Sequence, residues 1–178
     1  MKNLLFLLSI LSFCAVNAQG PYTVPYSTDF EEYASDSAFQ IDWTYDNTQI
    51  ASSIGVWAFD YTAYFGYNMS NCIVYGTSSL EAGDDRVFSP GFTLQAGTNY
   101  TLSFLAANGY SAGSEALKIY IGSDTSAATM TTLLEDYSAI TGTTFTNKSA
   151  TFSVPTNGTY YFGFFAYTSL QGYSMLIV

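Results

Sequence analysis

Acidic side chains close to turns, and a dense run of aromatic rings, are the residues of this chain that could do chemistry. Asp29, Glu31 and Glu32 lie near the start, Asp60 follows a short apolar run, and Asp84 and Asp85 follow Gly83. Such carboxylates, joined by backbone carbonyls and loop amides, can supply the oxygens that a calcium ion takes. Two carboxylates ~4 Å apart repel by about 4 kcal/mol at an effective dielectric of roughly 20, so a close pair calls for a cation between them. Neighbours on a strand point to opposite faces, and Asp84 and Asp85 chelate together only if the turn at Gly83 bends them. The alternative is a solvated acidic surface in which Asp85 pairs with Arg86 or with a turn amide.

The aromatic run contains Trp57, Phe59, Tyr61, Tyr64, Phe65, Tyr67 and Tyr75, interrupted by Gly66, Asn68 and Asn71. An exposed tyrosine offers a flat apolar face with a polar edge, which suits a sugar ring, and amides can read its hydroxyls. Core packing claims most of these rings, because burying one is worth roughly 1.5–3 kcal/mol. Tyr61, Tyr64 and Tyr67, on the outward alternation, are the candidate ligand-binding residues. Glu115 and the Glu135-Asp136 pair raise a glycoside hydrolase as a distant reading, but nothing in the sequence sets two acids across a cleft. The chain has no histidine, which removes imidazole-dependent triads and the usual ligands of zinc and copper. No catalytic residue is expected, and the chain reads as a non-enzyme.

The elements that must carry these residues are strands. Aromatic residues make up 18% of the chain against 10% charged, and they sit among Thr, Ser and Gly instead of at helical spacing. Phe92 and Leu94 alternate with Thr93 and Gln95, Tyr100, Leu102 and Phe104 with Thr101 and Ser103, and Leu117, Ile119 and Ile121 with Lys118 and Tyr120. The spacing predicts nine strands, near 27–30, 55–59, 72–75, 85–88, 100–105, 116–121, 148–154, 159–167 and 174–178. Residues 159–167 are apolar on both faces, as in a central strand. One helical turn is expected near 130–134. This is the pattern of an all-β, antiparallel, two-sheet jelly-roll β-sandwich.

Residues 1–18 read as a signal peptide, with Lys2, an apolar stretch from Leu4 to Val16 and small residues at Val16-Asn17-Ala18. Bulky Phe13 argues against lipoprotein processing at Cys14. Residues 19–178 are then one domain, secreted or at the cell surface, whose last strand the reading expects to be cut short. In that domain three basic residues (Arg86, Lys118, Lys148) face 14 acidic ones, a net charge of −11. Such a surface repels nucleic acid and anionic lipid, and no later segment is long and apolar enough to insert in a membrane. Cys72 is left without a disulfide partner.

The order of several phrases resembles the choice-of-anchor J domains of secreted Bacteroidetes proteins, related to cleaved-adhesin and MAM-like jelly rolls. The phrases are Pro25-Tyr26-Ser27-Thr28-Asp29-Phe30-Glu31, Gly55-Val56-Trp57, Asp85-Arg86-Val87-Phe88-Ser89-Pro90, Leu94-Gln95-Ala96-Gly97-Thr98-Asn99-Tyr100, Ile121-Gly122 and Asn157-Gly158-Thr159-Tyr160-Tyr161-Phe162-Gly163. The resemblance implies a surface or secreted jelly roll connected with adhesion or carbohydrate recognition, often holding calcium, and it brings no catalytic residues. With turn geometry it singles out Glu31 and Asp85 as the calcium ligands. The function expected is a binding or adhesion module for a glycan or a surface or matrix protein. The rival is a structural module of a larger surface protein that binds nothing itself.

Overall fold

The structure, a computed structural model, describes residues 20–47, 55–76, 82–169 and 175–178; the leader and Cys14 lie outside them. In chain order the strands are β1 (Thr44–Asp46), β2 (Trp57–Asp60), β3 (Cys72–Gly76), β4 (Asp85–Phe88), β5 (Phe92–Leu94) and β6 (Tyr100–Asn108). They continue as β7 (Glu115–Gly122), β8 (Thr132–Ile140), β9 (Thr146–Phe152), β10 (Gly158–Ala166) and β11 (Met175–Ile177). A single turn of helix, α1 (Asp36–Phe39), precedes β1.

Alternating polarity sorts these strands into two antiparallel sheets packed face to face. The first has the order β1-β4-β10-β7-β8, with β5 also paired to β10. The second has the order β2-β3-β11-β6-β9. The doubly apolar stretch is the central strand β10, flanked by β4 and β7. Leu117, Ile119 and Ile121 of β7 are buried while Lys118 and Tyr120 reach the surface. The core between the layers joins Trp57, Ile73 and Tyr75 of one sheet to Val87, Leu117, Ile119 and Phe164 of the other. Asn157-Gly158 and Asn108-Gly109 carry the chain across from one sheet to the other, so these turns make no hairpins.

Two further expectations are corrected. Residues 27–30 form no strand, because Thr28 Oγ1 and Asp29 Oδ1 accept the amides of Phe30 and Glu31, and Phe30 sits at φ 66°. Local side-chain turns win there over strand pairing. Residues 130–134 are not helical, since Thr132 onward is strand β8, whose alternation is broken where its register with β7 shifts. The helical turn lies instead at α1, where the Ser35 hydroxyl caps the Ala38 amide at 3.2 Å.

Candidate binding site

The loop after β2 presents the three candidate tyrosines, and Asp60 holds it. Asp60 Oδ1 accepts the Thr62 amide at 3.0 Å and the Thr62 hydroxyl at 2.5 Å, and Oδ2 accepts the Phe65 amide at 3.2 Å. Burial alone would raise this carboxyl, but the hydrogen bonds from Thr62, Phe65 and Tyr64 outweigh it and hold it below the usual carboxylate range. Ala63, Asn68 and Met69 adopt left-handed backbone at φ 56°, 55° and 62°. A Cβ on Gly66 would stand 2.0 Å from the Ser70 carbonyl oxygen, so only glycine permits this close turn. The result is exposure of Tyr61 (53%), Tyr64 (76%), Tyr67 (50%) and Met69 (77%), whereas Trp57, Phe59 and Tyr75 are core. Tyr64 rests edge-on against Phe65 at 4.8 Å, and Tyr67 against Phe145 at 5.6 Å.

Tyr67 also stands at the rim of a groove of about 700 Å³ that runs between β3, the end of β11 and β6, down to Phe162 and Phe164 of the opposite sheet. Beside it, the irregular stretch from Tyr22 to Asp42 encloses a second cavity of about 580 Å³, which sequence reasoning missed. Its tyrosines Tyr22 and Tyr33 both donate to Asp42 Oδ2, at 3.1 and 2.9 Å. Burial, then the Asp42 carboxylate, pushes the Tyr22 hydroxyl up to about 12, so it stays a donor at any physiological pH. The density of Tyr and acid in residues 22–42 was the available signal, and reading 27–30 as a strand dispersed it.

The acidic residues separate. Glu31 Oε1 accepts the Asn71 amide at 2.6 Å, next to Cys72, which pairs with Asp60. Asp85 lies at the other end of the β2–β3 pair, where its carbonyl accepts from Trp57 Nε1 at 3.1 Å and Trp57 pairs with Tyr75. The structure therefore does not bring Glu31 and Asp85 together. Arg86 turns away from Asp85 to Asp84 (2.6 Å) and Asp46 (3.7 Å). Glu115 is as fully buried as Asp85, and its Oε2 accepts from the Thr168 hydroxyl at 2.5 Å. The Tyr75 hydroxyl is buried and has no hydrogen-bond partner among the described residues. Burial and the charges of Asp85, Glu115 and Asp84 push it far above its ordinary value. Among the described residues no three acidic or thiol side chains gather at metal-binding distance, so a cation here would also need carbonyl or amide oxygens. The Cys72 thiol is pushed up to about 12 by burial and then by Asp60, which leaves it inert as a nucleophile.

Two antiparallel sheets joined by crossings, with an aromatic loop exposed at one end of β2, define a jelly-roll β-sandwich. The chain has the fold of the cleaved adhesin domains. It is similar to the K3 domain of Lys-gingipain from Porphyromonas gingivalis W83, at 17% identity over 84% of this chain and 91% of that one, with a TM-score of 0.59. The K1 domain of the same protein matches at 21% identity over 76% and 86%, with a TM-score of 0.56. The module TmCBM61, solved in complex with β-1,4-galactotriose, matches at 8% identity over 76% and 83%, with a TM-score of 0.50. At these identities the fold is what is shared. No protein-family model and no curated protein matches the chain. No helix among the described residues is long and apolar enough to cross a membrane.

Proposed function

We propose that this protein is a non-catalytic adhesion module, secreted or at the cell surface, that recognises a glycan through Tyr61, Tyr64 and Tyr67. The observation that carries this reading is the exposure of three tyrosine rings on one loop that Asp60 fixes in place. Rings held rigid before binding lose little entropy when a sugar stacks on them. The likeness in fold to adhesin and carbohydrate-binding domains is in keeping with it. Glycan-array binding, with β-1,4-galacto-oligosaccharides among the probes, is expected to fall at least about tenfold in Tyr64→Ala, the loss of about 1.4 kcal/mol, while the melting temperature stays unchanged. No signal on any glycan would favour a module that only packs against neighbouring domains.

A structural calcium ion belongs to the same reading. Its support is that two fully buried carboxylates, Asp85 and Glu115, both act on the Tyr75 hydroxyl, and carboxylate oxygens are the ligands a calcium ion takes. Glu31, bound to the Asn71 amide away from that pocket, is not among the ligands proposed. Chelator is expected to lower the melting temperature of the wild-type chain and to leave that of Glu115→Gln unmoved. An identical wild-type melt with and without chelator would remove the ion.

A further inference from the structure

We propose that the cavity around Asp42 is a binding site for a primary alkylammonium group, the chemistry of a free alkylamine or of a lysine side chain on a polypeptide. Its wall is held from two directions. The backbone of Tyr22 is tied alongside β5, donating to the Gly91 carbonyl at 2.7 Å and accepting the Thr93 amide at 2.9 Å. Asp42 follows α1, its amide bonded to the Phe39 carbonyl at 3.1 Å. The space they help to enclose, about 580 Å³, is that of a small-ligand site and exceeds what a single ion fills.

The donors of this wall are spent within it. The Tyr22 and Tyr33 hydroxyls both donate to Asp42 Oδ2, at 3.1 and 2.9 Å, and the Thr28 hydroxyl donates to Glu32 Oε1 at 2.5 Å. What these groups leave to a ligand is acceptor oxygen. Asp29, Glu32 and Asp42 line the cavity, and among the described residues no Lys or Arg does and none of the three acids makes an ion pair. Asp42 Oδ1 is buried and has no hydrogen-bond partner among the described residues. After burial, the charges of Asp42 and Glu32 both raise the hydroxyls of Tyr22, Tyr26 and Tyr33, so two carboxylates act on one group of rings. A ligand that fits must bring N–H donors and positive charge.

The form of the cation follows from what each carboxylate has left. One oxygen of each is engaged already: Oδ2 of Asp42, Oε1 of Glu32, and Oδ1 of Asp29, which accepts the Glu31 amide at 3.2 Å. A guanidinium fork takes both oxygens of one carboxylate, whereas an ammonium is a compact charge with three donors that accepts single ones. A quaternary ammonium has no N–H to give. The remaining wall suits an alkyl stem, being Ala38, the exposed Ile41, and Tyr22 and Tyr26 with their rings 4.8 Å apart. A lysine-like stem lies along such surface while its head reaches the oxygens. This site stands apart from the glycan reading, and either can fail without the other.

The test is a titration of the full chain, followed by the NMR signals of the Ile41 methyls and the Tyr22 and Tyr33 rings. Butylammonium and Nα-acetyl-lysine N-methylamide are the probes, and both are expected to give saturable shifts. Equal affinities would assign the site to free amines, and tighter binding of the lysine amide to a polypeptide's lysine. The norleucine amide, which has the stem without the charge, should give no shift. The Nε-trimethylated lysine amide and the arginine amide should bind at least about tenfold more weakly. Asp42→Asn, which keeps an acceptor for the two tyrosines, is expected to weaken the lysine amide at least about tenfold. If that variant does not fold, Glu32→Gln, at an exposed side chain, should weaken it at least about twofold with the melting temperature unchanged. No shift with either amine, or equal shifts with the norleucine amide, overturns the proposal. So does displacement of the amine by an equal concentration of calcium chloride, which would make this a metal site.

Discussion

Asp60 does for the tyrosine loop what a capping residue does for a helix, since one carboxylate satisfies amides that the end of β2 leaves open. Its replacement by alanine leaves those amides to water and should cost about 1–2 kcal/mol. The same carboxylate makes the loop sensitive to acid. Hydrogen bonds hold the folded carboxyl below its ordinary value of 3.8. Its stabilising effect is therefore complete above that value and is lost as the pH falls through the lower folded one. A carboxyl-carbon NMR titration should place the Asp60 midpoint below 3.8. The amide resonances of Thr62 and Phe65 should shift with the same midpoint, and a midpoint above the ordinary value would remove Asp60 as the anchor.

At the scale of elements, the junction of β4 and β10 shows how the first sheet survives a proline. Pro90 cannot donate to a ladder, and β4 stops at Phe88. Ser89 takes over: its amide donates to the Phe162 carbonyl, and its hydroxyl oxygen accepts the Phe162 amide, both at 2.9 Å. Ser89→Ala leaves the Phe162 amide buried and unmet, and is expected to cost about 1–3 kcal/mol. In a domain of this size that is a fall of roughly 3–10 °C in melting temperature, readable by calorimetry. β7, built on alternation, and β10, apolar on both faces, were legible in the sequence because burial on one or both faces dictates their residue types. β8 was not, since register shifts against β7 erase its period, and the three-residue β1 is too short to have one. The exposure of the loop tyrosines does not follow from alternation, since Tyr61 has the parity of the buried Trp57 and Phe59; the loop's left-handed residues Ala63, Asn68 and Met69 set it. The cavity around Asp42 was not legible either, because its side chains are assembled by turns whose partners lie up to 20 residues apart.

Across the whole molecule, the described residues close the sandwich tightly at one edge, while side chains along β6 stay partly exposed. At the edge where β1 and β2 face each other, Phe39 of α1 stacks on Phe59 at 4.7 Å and 5° and on Trp43 at 5.4 Å and 14°. Its ring also lies 5.6 Å from that of Tyr45, so one fully buried side chain ties β2 of one sheet to β1 of the other. Along β6 the inward side chains Tyr100, Leu102 and Phe104 keep part of their surface exposed. Truncation should cost in proportion to what each side chain hides, because a closed site is left with a cavity while an open one is filled by water. Phe39→Ala is expected to lose about 3–5 kcal/mol, and Leu102→Ala less than about 2 kcal/mol. Denaturant melts of the two variants measure this directly. Equal losses would mean that Leu102 is packed as tightly in solution as Phe39.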